Sequence, residues 1–217
     1  MLDFDTARQN MVDCQVRTSD VTNHALLDAL SAVPRERFVP QDKAELAYID
    51  EDIALGGRRY LMEPAPLAKL IQAAGVSPDD VVLDIGCGSG YSTAVLSRLA
   101  SIVIAVEEDS GLAALASQTL SDLDYDNTIV VRGSLRDGYP SEGPYDVIFL
   151  GGAVDEIPAN LFSQLREGGK LLAVEGHGNA GVARLYMRNG DDFSGRSLFN
   201  CAIQPLPGFE KKPEFVF

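Results

Sequence analysis

The sequence predicts an α/β protein built on a doubly wound, mostly parallel sheet, with an N-terminal helical segment and an antiparallel C-terminal edge. Through the middle of the chain, short apolar runs rich in β-branched residues alternate with amphipathic helical patterns. One of these runs passes directly into a glycine-rich turn and then into a helix. The last part of the chain has short alternating runs without clear helical periodicity, which favours an antiparallel pair at the sheet edge.

The central feature of the chain is a strand that leads into a glycine-rich turn. Val81–Ile85 is apolar on both faces, which is typical of a strand in the centre of a parallel sheet. Gly86, Gly88 and Gly90 follow at alternate positions, where the missing Cβ lets the backbone lie against a bound ligand. Residues 92–99 begin with cap-type side chains and continue with helical spacing. This order predicts a nucleotide-type binding turn.

The spacing of these glycines indicates S-adenosylmethionine rather than a dinucleotide. Dinucleotide-binding turns use G-x-G-x-x-G, which places a pyrophosphate at a helix N-terminus. This chain has D-x-G-x-G-x-G, which suits a ligand without phosphate, with Asp84 near its cationic end and Tyr91 directly after the turn. Glu107 ends the next apolar strand about 20 residues on, where a Rossmann-type sheet places its ribose-hydroxyl acceptor. A glycine-rich turn without a ligand is the plainer alternative.

The other elements follow from hydrophobic periodicity and from breaker residues. Helices are predicted over residues 3–16, 22–33, 66–74, 112–123 and 157–165, and strands over residues 102–106, 129–131, 145–150 and 170–174. The segment 56–64 is predicted to begin with a flexible turn and to continue with an unusual mixture of cations, an aromatic and a thioether, and residues 182–217 are predicted as the antiparallel pair. We divide the chain into an N-terminal helical and substrate-loop segment, 1–64, packed on a core over 65–217 that contains the glycine turn.

The bulk composition narrows the possible partners. A formal charge of −14 disfavours nucleic acid, because such binding depends on Lys and Arg that neutralise phosphates. No apolar run approaches the ~20 residues of a membrane helix, and the first residues are acidic, so neither a membrane nor a secretory signal is expected. Three widely spaced cysteines fit reduced thiols in a cytoplasmic protein and suggest no metal site. The oligomeric state does not follow from the sequence.

Several short segments match one known family over nearly the whole chain. The matching segments are residues 11–12, 15–17, 33–40, 47–48, 82–91, 106–107, 125–127, 144–146, 156–158 and 165–171. The string V-P-R-E-R-F-V-P at 33–40 is more specific than the glycine turn. On these residues the chain resembles the protein-L-isoaspartate O-methyltransferases. The resemblance implies a Rossmann-like class I S-adenosylmethionine methyltransferase that methylates the α-carboxylate of isoaspartyl residues in damaged proteins and so begins their repair.

The same resemblance identifies the substrate loop. The family has approximately G-Q-T-I-S-x-P before the helix that leads to the first core strand, and an alignment on Pro64 puts Met62 at the serine position and Arg59 at the glutamine position. A thioether donates no hydrogen bond, so the family donor is missing. Ser134, after Gly133, stands where the family usually has an acid that contacts the adenine.

Two functions are consistent with the altered loop. In the first, the chain methylates isoaspartyl carboxylates, with the Tyr60 hydroxyl or the guanidinium groups of Arg58 and Arg59 replacing the serine, since Arg can hold a carboxylate by two parallel bonds. In the second, it binds S-adenosylmethionine but has no isoaspartyl activity, and it either methylates another acceptor or is a non-catalytic binding protein. A carboxylate is ionised at pH 7 and needs no base. A hydroxyl acceptor needs one, for which His177 is the candidate, although a loop histidine without a role is the plainer interpretation.

Overall fold

A computed structural model describes residues 3–211 of the chain, whose strands form two sheets. In chain order the strands are β1 (Ile53–Gly56), β2 (Arg59–Leu61), β3 (Val81–Ile85), β4 (Ile102–Glu107), β5 (Thr128–Arg132), β6 (Tyr145–Val154), β7 (Leu165–Glu175), β8 (Val182–Asn189) and β9 (Asp192–Asn200). The larger sheet has the order β5-β4-β3-β6-β7-β8-β9, while β1 and β2 form a separate antiparallel hairpin. Strands β3 to β7 are parallel, and β8 and β9 are antiparallel to their neighbours. The predicted fold class is therefore confirmed.

Six α-helices connect or flank these strands within the described residues. They are α1 (Phe4–Met11), α2 (His24–Ala32), α3 (Pro64–Ala74), α4 (Tyr91–Ser97), α5 (Ser110–Asp122) and α6 (Ala159–Phe162). The helix predicted over 3–16 is divided, because α1 ends at Met11 and a π-helical turn, Val12–Val16, continues the chain. Asn23 caps α2, and its side-chain oxygen accepts a hydrogen bond from the N–H of Leu26 at 3.1 Å.

Two other segments differ from their predictions. The helix predicted over 157–165 is reduced to α6, because Leu165 already belongs to β7 and pairs with Tyr145. Helical spacing over so few residues does not distinguish one helix from a short helical turn followed by a strand. The segment 56–64 does contain a turn near its start, but it also completes the β1–β2 hairpin, which is not predicted, and begins α3. Gly57 and Arg58 form the tip of the hairpin, with φ of 54° and 62°.

The chain after β9 returns to the carboxyl edge of the sheet. The N–H of Ala153 in β6 donates to the carbonyl oxygen of Gln204 at 2.9 Å, and the N–H of Leu206 donates to the carbonyl oxygen of Ala153 at 2.7 Å. These bonds hold Leu206 beside the glycine-rich turn. The predicted antiparallel pair is confirmed as β8 and β9, while residues 212–217 of that prediction lie outside the described residues.

The N-terminal segment and the sheet contribute to one hydrophobic cluster. Leu26 and Phe38 from the first 64 residues are fully buried in the same cluster as Val103 of β4 and Phe149 of β6. This packing fixes the segment that precedes the β1–β2 hairpin. No helix within residues 3–211 combines the length and the apolarity needed to cross a membrane.

Candidate active site

The three predicted glycines lie together at the carboxyl ends of β3 and β4. The N–H of Gly86 donates to the carbonyl oxygen of Val106 at 2.8 Å, which ties the turn to β4. Gly86, Gly88 and Gly90 have φ of 78°, 58° and 96°, left-handed values that L side chains rarely adopt. In open α/β sheets, ligands bind in the crevice outside this edge. The turn therefore has the position and the backbone conformation of a ligand cradle.

Asp84 is buried at the end of β3, behind the cradle. Its Oδ2 accepts hydrogen bonds from the hydroxyls of Ser92 and Thr93, both at 2.7 Å. These side chains therefore bind to β3 and do not cap α4, whose N-cap residue is Gly90. The Oδ1 of Asp84 is buried and has no partner within residues 3–211. Burial raises the pKa of this carboxyl to about 6, against the lowering effect of the two hydroxyls. The unpaired oxygen can accept a hydrogen bond from a cationic ligand group.

Glu107 ends β4 and is surrounded by N–H donors. Its Oε1 accepts from the backbone N–H groups of Glu108 at 2.9 Å and Asp109 at 3.1 Å. Its Oε2 accepts from the N–H of Gly88 at 2.8 Å, and from Nη2 and Nε of Arg59 at 2.9 and 3.3 Å. A carboxylate offers roughly four lone-pair sites, so these five donors use all of its acceptor capacity.

Arg59 lies inside the site, with 5% of its surface exposed. Besides its ion pair with Glu107, its Nη2 donates to the carbonyl oxygen of Gly86 at 2.6 Å. The sequence makes Arg59 a candidate donor to a substrate carboxylate. The structure instead places its guanidinium on the predicted ribose acceptor and on the backbone of the cradle.

Two leucines cover the cradle. A Cβ built on Gly86 would lie 2.5 Å from Cδ1 of Leu206, and one built on Gly88 would lie 3.0 Å from Cδ1 of Leu55. Leu206 is 1% exposed. Neither leucine could be predicted from the sequence, because Leu55 reaches the turn through the hairpin and Leu206 through the returning C-terminal segment.

A narrow cavity lies between the cradle and the β1–β2 hairpin. Its walls include Tyr60 and Met62 from the hairpin and its exit, Leu67 of α3, Tyr91 of α4 and Phe149 of β6. Met62 is buried, at 7% exposure, whereas Tyr60 is 37% exposed at the rim. The predicted substrate-loop residues Tyr60 and Met62 therefore reach the same space as the predicted cofactor-site residue Tyr91.

Arg58 points away from this cavity. Its guanidinium pairs with Glu210 at 2.8 Å, and its side chain is 71% exposed. The pair joins the hairpin tip to the C-terminal segment. Of the three polar side chains proposed to replace the family serine, Tyr60 alone lines the cavity.

Gly133 and Ser134 lie beyond the end of β5. They form an open depression with Glu108 and Arg132. The N–H of Gly133 donates to the carbonyl oxygen of Glu107 at 3.1 Å, which connects the depression to the cradle. This arrangement suits the adenine side of a nucleoside held at Glu107.

His177 follows β7 and is half exposed. Its Nε2 pairs with Asp155, which follows β6. Neither residue is among those that line the cavity. His177, the candidate base for a hydroxyl acceptor, therefore does not line the cavity.

Comparisons with known proteins agree on one family. The family model for protein-L-isoaspartate(D-aspartate) O-methyltransferase (PCMT) matches residues 6–210. A protein-L-isoaspartate O-methyltransferase of Roseiflexus castenholzii is 35% identical over 207 residues, which cover 95% of this chain and 94% of the relative. Another, of Koribacter versatilis, is 32% identical over 205 residues, or 94% of this chain and 92% of the relative.

Solved structures agree with these matches. A structure of a protein-L-isoaspartate O-methyltransferase superposes with a TM-score of 0.80 at 27% identity, covering 93% of this chain and 66% of that one. A Plasmodium falciparum protein solved in complex with S-adenosyl-L-homocysteine has a TM-score of 0.79, with 92% of this chain and 97% of that chain covered. At 19% identity, this second match shows the shared fold. With its glycine cradle, its V-P-R-E-R-F-V-P segment and these relatives, the chain belongs to the protein-L-isoaspartate O-methyltransferase family.

Proposed function

We propose that this chain transfers the methyl group of S-adenosylmethionine to the α-carboxylate of isoaspartyl residues in damaged proteins. The observation that carries the proposal is the cradle at Gly86, Gly88 and Gly90 with Glu107 beside it, in a chain of this family. When bound, the cofactor supplies an electrophilic methyl group on a positively charged sulfur.

The residues present fit this cofactor. The glycines allow close approach of its amino-acid portion, and the unpaired Oδ1 of Asp84 is an acceptor for its cationic end. Glu107 would accept hydrogen bonds from the ribose hydroxyls after the Arg59 guanidinium has moved away from its carboxylate. Gly133 and Ser134 would lie against the adenine.

The cavity favours a carboxylate as the methyl acceptor. A carboxylate is already ionised at pH 7, so the site needs to position and desolvate it rather than remove a proton. Walls such as Leu67 and Phe149 exclude water, which strengthens the remaining electrostatic contacts. We assign the hydroxyl of Tyr60 as the donor that orients the carboxylate, since Met62 has none and Arg58 and Arg59 are engaged elsewhere.

Methyl transfer to a defined peptide tests this function. We expect radiolabelled S-adenosylmethionine to give a base-labile methyl ester on a peptide with one isoaspartyl residue, and none on the same peptide with aspartate. Tyr60→Phe should lower kcat/KM by about tenfold or more, the value of a hydrogen bond to a charged group. Its affinity for S-adenosylhomocysteine should not change.

Two outcomes would count against the proposal. Cofactor binding without transfer to the isoaspartyl peptide would favour another acceptor or a non-catalytic role. Equal transfer by Tyr60→Phe and the unaltered chain would remove Tyr60 from the assignment. A cytoplasmic location and the lack of nucleic-acid partners stay predictions from the composition.

A further inference from the structure

We propose that Arg59 is an internal competitor for the cofactor: its guanidinium occupies the ribose acceptor Glu107, and the β1–β2 hairpin must lift before a nucleoside can bind. The inference rests on the proposed function and concerns regulation of the same site. The hairpin, Ile53–Leu61, is then a latch that holds the crevice closed.

The first support is the hydrogen-bond capacity of Glu107. Three backbone N–H groups, of Gly88, Glu108 and Asp109, hold the carboxylate through the fold itself. They leave about one of its roughly four lone-pair sites, and the two N–H groups of Arg59 fill it. Ribose hydroxyls can donate to this carboxylate only after Arg59 has left it.

The second support is the position of the guanidinium in the cradle. A Cβ on Gly86 would lie 2.9 Å from Nη2 of Arg59, so the guanidinium lies on the side of the turn from which a side chain is absent. The open face that makes Gly86 useful for a ligand is thus filled by Arg59 and Leu206. A ligand lying against this backbone must displace both side chains.

The third support is that the latch belongs to a small, separate element. The hairpin has two strands of four and three residues that pair only with each other among the described strands. Its tip, Gly57-Arg58, is exposed, and Arg58 joins it to the C-terminal segment through the surface pair with Glu210. Lifting the tip of the hairpin therefore breaks no hydrogen bond of the seven-stranded sheet, while Ile53 and Leu61 at its base stay buried in the main hydrophobic cluster.

Arg59→Gln provides a direct test, because glutamine keeps a polar side chain of similar length and removes the ion pair. The matched control is Arg58→Gln, which removes the same charge from the same hairpin but leaves the bond to Glu107 intact. We expect calorimetry to show that Arg59→Gln binds S-adenosylhomocysteine at least about tenfold more tightly than the unaltered chain, since a competent conformation no longer has to be populated against the closed one. The control should change the affinity by at most about fivefold, as is usual for exposed ion pairs.

A measurement on the unaltered chain makes the test independent of how the variant folds. In NMR spectra, the Nε–H of Arg59 should exchange slowly with water, and saturating S-adenosylhomocysteine should convert it to rapid exchange. If the ligand binds and this resonance keeps its slow exchange, the latch is wrong.

The outcomes separate the latch from the proposed function. If the unaltered chain binds S-adenosylhomocysteine and Arg59→Gln binds it with equal or lower affinity, the latch is wrong and the proposed function is unaffected. Binding by Arg59→Gln alone supports both. If neither protein binds S-adenosylhomocysteine, the proposed function fails, and the latch fails with it.

Discussion

Nη2 of Arg35 donates a hydrogen bond to the carbonyl oxygen of Met62 at 2.7 Å, which connects the N-terminal segment to the wall of the active-site cavity. Arg35 is fully buried, its Nε donates to the carbonyl oxygen of Ala47 at 2.6 Å, and its guanidinium lies 4.7 Å from the ring centroid of Tyr91. Burial lowers the pKa of this guanidinium from its ordinary value. One side chain thus fixes the backbone on both sides of the hairpin and packs on the helix that follows the cradle.

Arg35→Lys should destabilise the chain. An ammonium group does not reproduce the planar fork, so at least one buried carbonyl loses its donor and the Tyr91 ring loses its cover. We expect the free energy of unfolding in urea to fall by about 2–4 kcal/mol. Arg37→Lys, at an exposed position two residues on, is the control and should change it by less than about 0.5 kcal/mol. Equal effects of the two substitutions would contradict the role assigned to Arg35.

Met62→Ser should increase methyl transfer to an isoaspartyl peptide. Met62 lies in the cavity wall, so a hydroxyl there would place a donor beside the site that we propose for the substrate carboxylate. A donor of this kind is worth about 10²–10³ in rate. Met62→Ala removes the same bulk without adding a hydroxyl and should give no increase in kcat/KM. A similar increase in both variants would mean that space, rather than the donor, limits the reaction.

The buried carboxyl of Asp84 should make stability depend on pH in an unusual direction. Burial raises its pKa from 3.8 to about 6, so between these values the folded chain holds a proton that the unfolded chain releases. The contribution of Asp84 to stability therefore falls as the pH rises from about 4 to about 6, by an amount of order 3 kcal/mol.

Urea unfolding of the unaltered chain and of Asp84→Asn at several pH values checks this direction. The neutral amide cannot titrate, so the stability of the unaltered chain relative to Asp84→Asn should decline between pH 4 and 6 and stay constant above pH 7. A difference that does not vary with pH would show that Asp84 titrates at the same pH in both states.

The sheet and the cradle could be predicted because their causes are local. Val81–Ile85 is apolar on both faces, and the three glycines after it need no distant partner to turn the chain. The position of Glu107 beside the glycine turn could be predicted because parallel strands end at a common edge. These features depend on hydrophobic periodicity and on the order of strands and helices, and both can be read from the sequence.

The hairpin could not be predicted because its causes are distant in the chain. Its strands are short, their pairing is irregular between Ala54 and Gly56, and a non-glycine residue, Arg58, has a positive φ at its tip. The ion pair that holds it joins Arg59 to a residue 48 positions later. The sequence therefore marks Arg59 as an unusual cation but does not reveal that it contacts Glu107.

The contact of Arg59, a hairpin residue, with Glu107 has a consequence for how the enzyme responds to its surroundings. In the latch that we propose, the ion pair between Arg59 and Glu107 raises the concentration of S-adenosylmethionine at which half of the molecules are loaded. An enzyme with such a contact would be active at a high concentration of the methyl donor. It would lose activity at lower concentrations at which an enzyme without the contact is still loaded. Substitutions in the hairpin can then change this concentration without any change in the sheet that carries the cradle.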